Sequence, residues 1–159
     1  MKGTQFLILA LLFNTDPVFA GSKKTEESVD IVVHRSPTCN CCGKWVEHLK
    51  QYYFNVKDIV SDDVQAIKNK YGVTQDLASC HTAVVDGYVV EGHVPASDIM
   101  TMLKNKPDVV GITVPGMPNG TPGMEMGGKK DAYQVISFDK KISIRSLTAI
   151  KRSDVSEPV

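Results

Sequence analysis

Hydrophobic positions form one short N-terminal block and then alternate between strand-like and helix-like patterns. Phe6 to Phe13 is an unbroken apolar run behind Lys2, and Val18-Phe19-Ala20 supplies a small-x-small site before Gly21. A basic start, a short apolar centre and a small-residue cleavage site predict a secretory signal peptide over residues 1–20. The run is too short to span a bilayer, which takes about 20 apolar residues. Residues 21–30 read as a flexible lead-in, polar from Gly21 to Ser28. Val29 to His34 carries the β-branched run Ile31-Val32-Val33 and predicts a buried strand. Trp45, Val46, Leu49, Tyr52 and Tyr53 share one face of a helix predicted over Gly43 to Tyr53.

Asn55 to Val60 predicts a second strand. Ser61 is the expected N-cap of a second helix, with Asp62 and Asp63 in its first turn, Val64, Ile67 and Tyr71 facing inward, and Gly72 ending it. Thr82 to Val85 and Tyr88 to Val90 flank Asp86-Gly87, a two-residue hairpin signal. Pro95 to Leu103 predicts a third helix with Ser97 as cap and Ile99, Met102 and Leu103 inward. Residues 107–128 are rich in Gly, Pro and Met and read as a loop. Ala132 to Phe138 and Ile142 to Leu147 predict a C-terminal hairpin, and residues 149–159 a polar tail. The β-α-β-α-β-β-α order predicts an α/β fold of thioredoxin-like type. Its central mixed sheet would be flanked by helices, in a single metal-binding domain over residues 31–148.

Composition narrows the function. Eighteen Lys and Arg cancel eighteen Asp and Glu, so the basic excess of a nucleic-acid binder is missing. Beyond the signal no apolar stretch is long enough to span a membrane. Export to an oxidising compartment, with the Gram-negative periplasm expected, favours disulfides unless a metal or a reductant holds the thiols.

The four cysteines carry the chemistry. Cys39, Cys41 and Cys42 fall at the predicted junction of the first strand and first helix, and Cys80 precedes the hairpin. In the predicted fold the loop before that hairpin lies against the first helix's N-terminus, which would set Cys80 opposite the other three. Helix N-terminal amides stabilise thiolate. Adjacent Cys41 and Cys42 are poor disulfide partners, because Cα atoms about 3.8 Å apart fall below the usual range of about 4.4–6.8 Å. A disulfide between Cys39 and Cys42 would still leave two thiols. Four converging sulfurs suit a soft metal, and three-to-one crowding fits thiolates bridging several Cu(I) ions better than a zinc site with two paired arms.

Met117, Met124 and Met126 in the Gly/Pro loop add soft thioethers, although each could equally fill a gap beneath that loop. His81, beside Cys80, and His34, ending the first strand, are candidate ligands or supporting donors, and His93 is a lesser one. His48, on the first helix, reads as solvated or structural.

The segments SPTCNCCGKWVEHLK, LASCHTAVVDGYVVEGHVPASDI and GITVPGMPNGTPGME together closely resemble the periplasmic CopG-type copper-resistance family, over roughly Ile31 to Phe138. The resemblance implies a thioredoxin-like fold whose cysteines hold a multinuclear Cu(I) cluster, with Cys39, Cys41, Cys42 and Cys80 as ligands. It also implies a role in copper tolerance by storage, redox conversion or transfer to an efflux or carrier protein. The main competing expectation is a thiol–disulfide oxidoreductase, from the Cys-x-x-Cys spacing of Cys39 and Cys42. Such enzymes usually place a proline before the hairpin, where this chain has Cys80-His81-Thr82. An exported domain with two structural disulfides is the plainest alternative.

Overall fold

A computed structural model describes residues 28–139. The predicted signal peptide, most of the lead-in, the second arm of the C-terminal hairpin and the polar tail lie outside the described residues. The elements are β1 (Val29–Arg35), α1 (Asn40–Gln51), β2 (Phe54–Val60), α2 (Val64–Lys70), β3 (His81–Val85), β4 (Tyr88–Glu91), α3 (Ala96–Asn105), β5 (Gly111–Thr113) and β6 (Ile136–Phe138). They build one six-stranded sheet in the order β2-β1-β3-β4-β5-β6. β1 and β2 run parallel through the α1 crossover, as a parallel pair requires, and β3 runs antiparallel to both its neighbours. β4 and β5 are parallel, and β6 is antiparallel to β5. The fold is the expected α/β type, a mixed sheet covered by helices on both faces.

Strand alternation divides the interior in two. Ile31, Val33, Ala83, Val85, Val90 and Ile112 pack under α1 and α3, which contribute Trp45, Val46, Leu49, Ile99 and Met102. On the opposite face Val89 and Phe138 pack with Val73 and Leu77 from the segment after α2. Among the described residues no helix is long and apolar enough to cross a membrane.

Several local expectations shift. α1 starts at Asn40, so Cys41 and Cys42 lie inside its first turn. It stops at Gln51 because Tyr53 adopts a left-handed φ of 64°, which leaves Tyr53 64% exposed and gives the buried position to Phe54. Tyr52 is also exposed, so neither tyrosine belongs to the buried face. The N-cap of α2 is Asp63, whose carboxylate accepts from the Ala66 amide, while Ser61 Oγ accepts from Asp63 N. Its buried residues are Val64 and Lys68; Ile67 is only half-buried. Pro95, not Ser97, is the N-cap of α3; it offers no side-chain acceptor, and His48 Nε2 on α1 accepts the Ala96 amide at 3.2 Å instead. His48 is therefore structural.

The loop over 107–128 contains β5, a strand too short for its periodicity to register. Gly111 permits it, since a Cβ there would collide with the Val89 carbonyl. β6 is the end of the expected first hairpin arm, and its described partner is β5.

The polar row Thr82–Glu91–Thr113 crosses β3, β4 and β5 on the α2 face. Glu91 is fully buried and ion-paired with Lys68, itself 6% exposed. Thr82 Oγ1 donates to Glu91 Oε2 at 2.6 Å, and Lys68 Nζ donates to Thr82 Oγ1 at 3.1 Å. Removing one charge strands the other in a dry site. Lys68→Met is expected to cost roughly 3–5 kcal/mol in urea unfolding, and the double variant with Glu91→Gln should recover part of that loss. A Lys68→Met loss below about 1 kcal/mol would mean the pair is effectively solvated.

Candidate metal centre

The cysteine motif is shaped by the turn before α1. Ser36 Oγ accepts the Thr38 amide, and Ser36 O accepts the Cys39 amide at 3.2 Å. Cys39 takes the N-cap position without a side-chain cap bond. The first turn of α1 carries no acidic residue, so its unpaired amides face the motif with no competing carboxylate on the helix. Cys42 is fully buried, whereas Cys39, Cys41 and Cys80 are half-buried.

Cys80 arrives from a distant part of the chain. The segment leading to it is fixed by Thr113 Oγ1 donating to Leu77 O at 2.7 Å, by the Ser79 amide donating to Glu91 Oε1 at 2.6 Å, and by Ser79 Oγ donating to Gly116 O. Gly92, at a φ of +74°, lets Ser79 approach: a Cβ there would meet the Ser79 side chain at 2.5 Å. The result is that the sulfurs of Cys39, Cys41, Cys42 and Cys80 all lie within 4.8 Å of one another. Cys39 and Cys42 form a disulfide with Cα atoms 5.4 Å apart, and Cys41 and Cys80 are free thiols. The pairing left open by the sequence is thus Cys39–Cys42. Cys39 Sγ is 3.4 Å from Cys41 Sγ.

A second convergence adjoins the first. Cys80 Sγ lies 3.3 Å from His81 Nδ1 and 3.1 Å from His93 Nε2. His81 is wholly buried against the Trp45 ring, with centroids 4.3 Å apart. Burial above all, then the charges of His93 and Lys68, holds its pKa well below the ordinary imidazole range. His93 is also buried and its pKa lowered, chiefly by desolvation. Cys80 is pushed up to about 12, first by burial and then by neighbouring Cys41.

The remaining candidates lie outside these two groups. His34 is half-buried on β1, its pKa lowered by burial and by Lys70. Met117 and Met126 are exposed, at 55% and 75%, while Met124 is buried. The loop that carries them rests on the motif: a Cβ at Gly123 would lie 2.7 Å from Trp45 N and 2.9 Å from Cys41 O. His93, ranked low from spacing, sits closer to Cys80 Sγ than His81 does. Its only sequence signal is its place at the end of the hairpin.

Residues 77–124 match the family described as "Protein of unknown function, DUF411". Two solved structures align with the fold at a TM-score of 0.72 each. One, titled "Copper resistance protein copG- Form 2", is 47% identical over 77% of this chain and 98% of its own. The other, "Copper resistance protein copG- Form 1", is 48% identical over 77% of this chain and 97% of its own. The chain belongs to the CopG family of copper resistance proteins. The shorter family model begins just before Cys80 and so takes in Cys80, His81 and His93 but not the motif at the start of α1. No curated protein matches the chain.

A thiol raised this far stays protonated at neutral pH, and the thiolate is the nucleophile. In the disulfide-bonded protein, iodoacetamide is therefore expected to alkylate Cys41 well before Cys80, with Cys80 catching up only above the ordinary thiol range. Peptide mass spectrometry across a pH series reads this directly, and equal rates at neutral pH would contradict it.

Proposed function

We propose that this protein handles copper outside the cytoplasm, gathering Cu(I) on the thiolates of Cys39, Cys41, Cys42 and Cys80. The single observation that supports this reading most is the approach of four sulfurs from two distant chain segments to within 4.8 Å. Thiolate is a soft ligand that favours Cu(I), and four sulfurs at one end of a sheet are enough to bridge more than one ion. The membership of the CopG family points the same way.

Full loading needs all four thiolates. The Cys39–Cys42 disulfide must first accept two electrons and two protons from a thiol donor, which is itself oxidised to a disulfide. Copper is then cargo, held in the periplasm for storage, redox conversion or transfer to an efflux or carrier protein. The exposed Met117 and Met126 thioethers suit transient contact with Cu(I) beside the cysteines, and half-buried His34 would at most support the site from β1.

An anaerobic Cu(I) titration of reduced protein against a competing chelator tests this reading. More than one Cu(I) should bind, and each single Cys→Ser change should lower the stoichiometry. Tight Zn(II) binding without a copper preference would overturn it. Because Cys80 holds its proton strongly, Cu(I) loading must displace it, so apparent affinity should fall as the pH is lowered. A pH-independent affinity would exclude Cys80 as a ligand.

The disulfide at the start of α1 also favours a second reading, a thiol–disulfide oxidoreductase. Metal-free protein that reduces insulin with turnover, lost in Cys39→Ser, would support it. No turnover beside stoichiometric Cu(I) uptake would exclude it.

A further inference from the structure

Beside the disulfide, three donors from β3, the residue before it and the end of the hairpin converge around Cys80. Cys80 Sγ, His81 Nδ1 and His93 Nε2 lie within 4.8 Å of one another. The second nitrogen of His93 donates to Pro122 O at 2.8 Å, which leaves the Nε2 lone pair facing Cys80 Sγ at 3.1 Å. A backbone carbonyl on the far nitrogen is the usual device that orients a metal-bound imidazole. His81 Nε2 is buried without a hydrogen-bond partner, and its Nδ1 faces Cys80 Sγ. Both imidazoles are buried and the sulfur is half-buried, so an ion would enter past Cys80.

None of these donors is consumed by the disulfide. In a tetrahedral site with metal–sulfur and metal–nitrogen bonds of about 2.3 and 2.0 Å, sulfur and nitrogen stand roughly 3.5 Å apart. The observed separations of 3.1 and 3.3 Å need only a small outward movement. We propose that the disulfide-bonded protein keeps a site for a single divalent ion of the Zn(II) class, held by Cys80, His81 and His93. Two imidazoles and one thiolate suit a borderline ion, whereas the four-thiolate set suits Cu(I). The fourth position, on the Cys80 side, faces the free Cys41 thiol, whose sulfur lies within 4.8 Å of Cys80 Sγ. The site deepens the copper-handling reading by giving the oxidised state a donor set of different softness from the reduced one.

Co(II) is the probe, added anaerobically to full-length protein whose mass confirms one disulfide and two thiols. One equivalent should bind with the intense ligand-field bands of a tetrahedral site and a sulfur-to-metal charge-transfer band. X-ray absorption should count nitrogen as well as sulfur neighbours. Cys80→Ser should weaken the charge-transfer band, and His93→Gln should weaken Co(II) binding about tenfold or more. Weak octahedral spectra from the unaltered protein would overturn the proposal, as would sulfur-only coordination or unchanged affinity in His93→Gln. The spectrum of the unaltered protein is decisive even if a histidine variant fails to fold. Reduced protein that binds several Cu(I) while the disulfide form ignores Co(II) would sink this inference alone. The opposite pattern would sink the four-thiolate reading and leave this one standing.

Discussion

The Glu91 carboxylate, buried in the sheet and paired with Lys68, is the interaction on which the site depends. One of its oxygens accepts the Ser79 amide and the other accepts the Thr82 hydroxyl. The chain on both sides of Cys80 and His81 is thereby tied to β4. A buried ion pair of this kind adds little net stability over a well-packed apolar core. Its geometry, though, is highly specific, because any displacement leaves a charge without a partner in a dry medium. A flexible loop could not hold a half-buried sulfur opposite α1 with comparable definition.

That rigidity explains the uneven chemistry of the sulfurs. Cys39, Cys41 and Cys42 sit around the first turn of α1, where backbone amides favour negative charge. Cys80 faces them from a desolvated position that favours the neutral thiol. The arrangement holds two sulfurs in a disulfide and two as thiols. A bound cation would reverse the balance, since it compensates the thiolates that burial penalises.

The glycines at close approaches serve the same end. Gly92 admits Ser79, and Gly123 brings the Met-bearing loop onto the first turn of α1. The loop in turn delivers the Pro122 carbonyl to His93. The extension beyond α3 is thus part of the site's wall and not an appendage to the domain.

Much of this was legible along the chain. The run Ile31-Val32-Val33, the Asp86-Gly87 turn and the apolar spacing of Trp45, Val46 and Leu49 fixed the element order, because period and turn chemistry are local properties. The three clustered cysteines announced a site for the same reason. Three features came only with the folded chain. Lys68 faces inward because Glu91 waits on a strand more than twenty residues away, and no helical periodicity encodes that partner. β5 exists because Gly111 lets two backbones meet. His93 joins Cys80 because the hairpin end and the Gly/Pro loop converge there. Sequence determined which atoms were available and which local conformations they took; long-range pairing, whose cost and reward are shared between remote segments, decided which of them met.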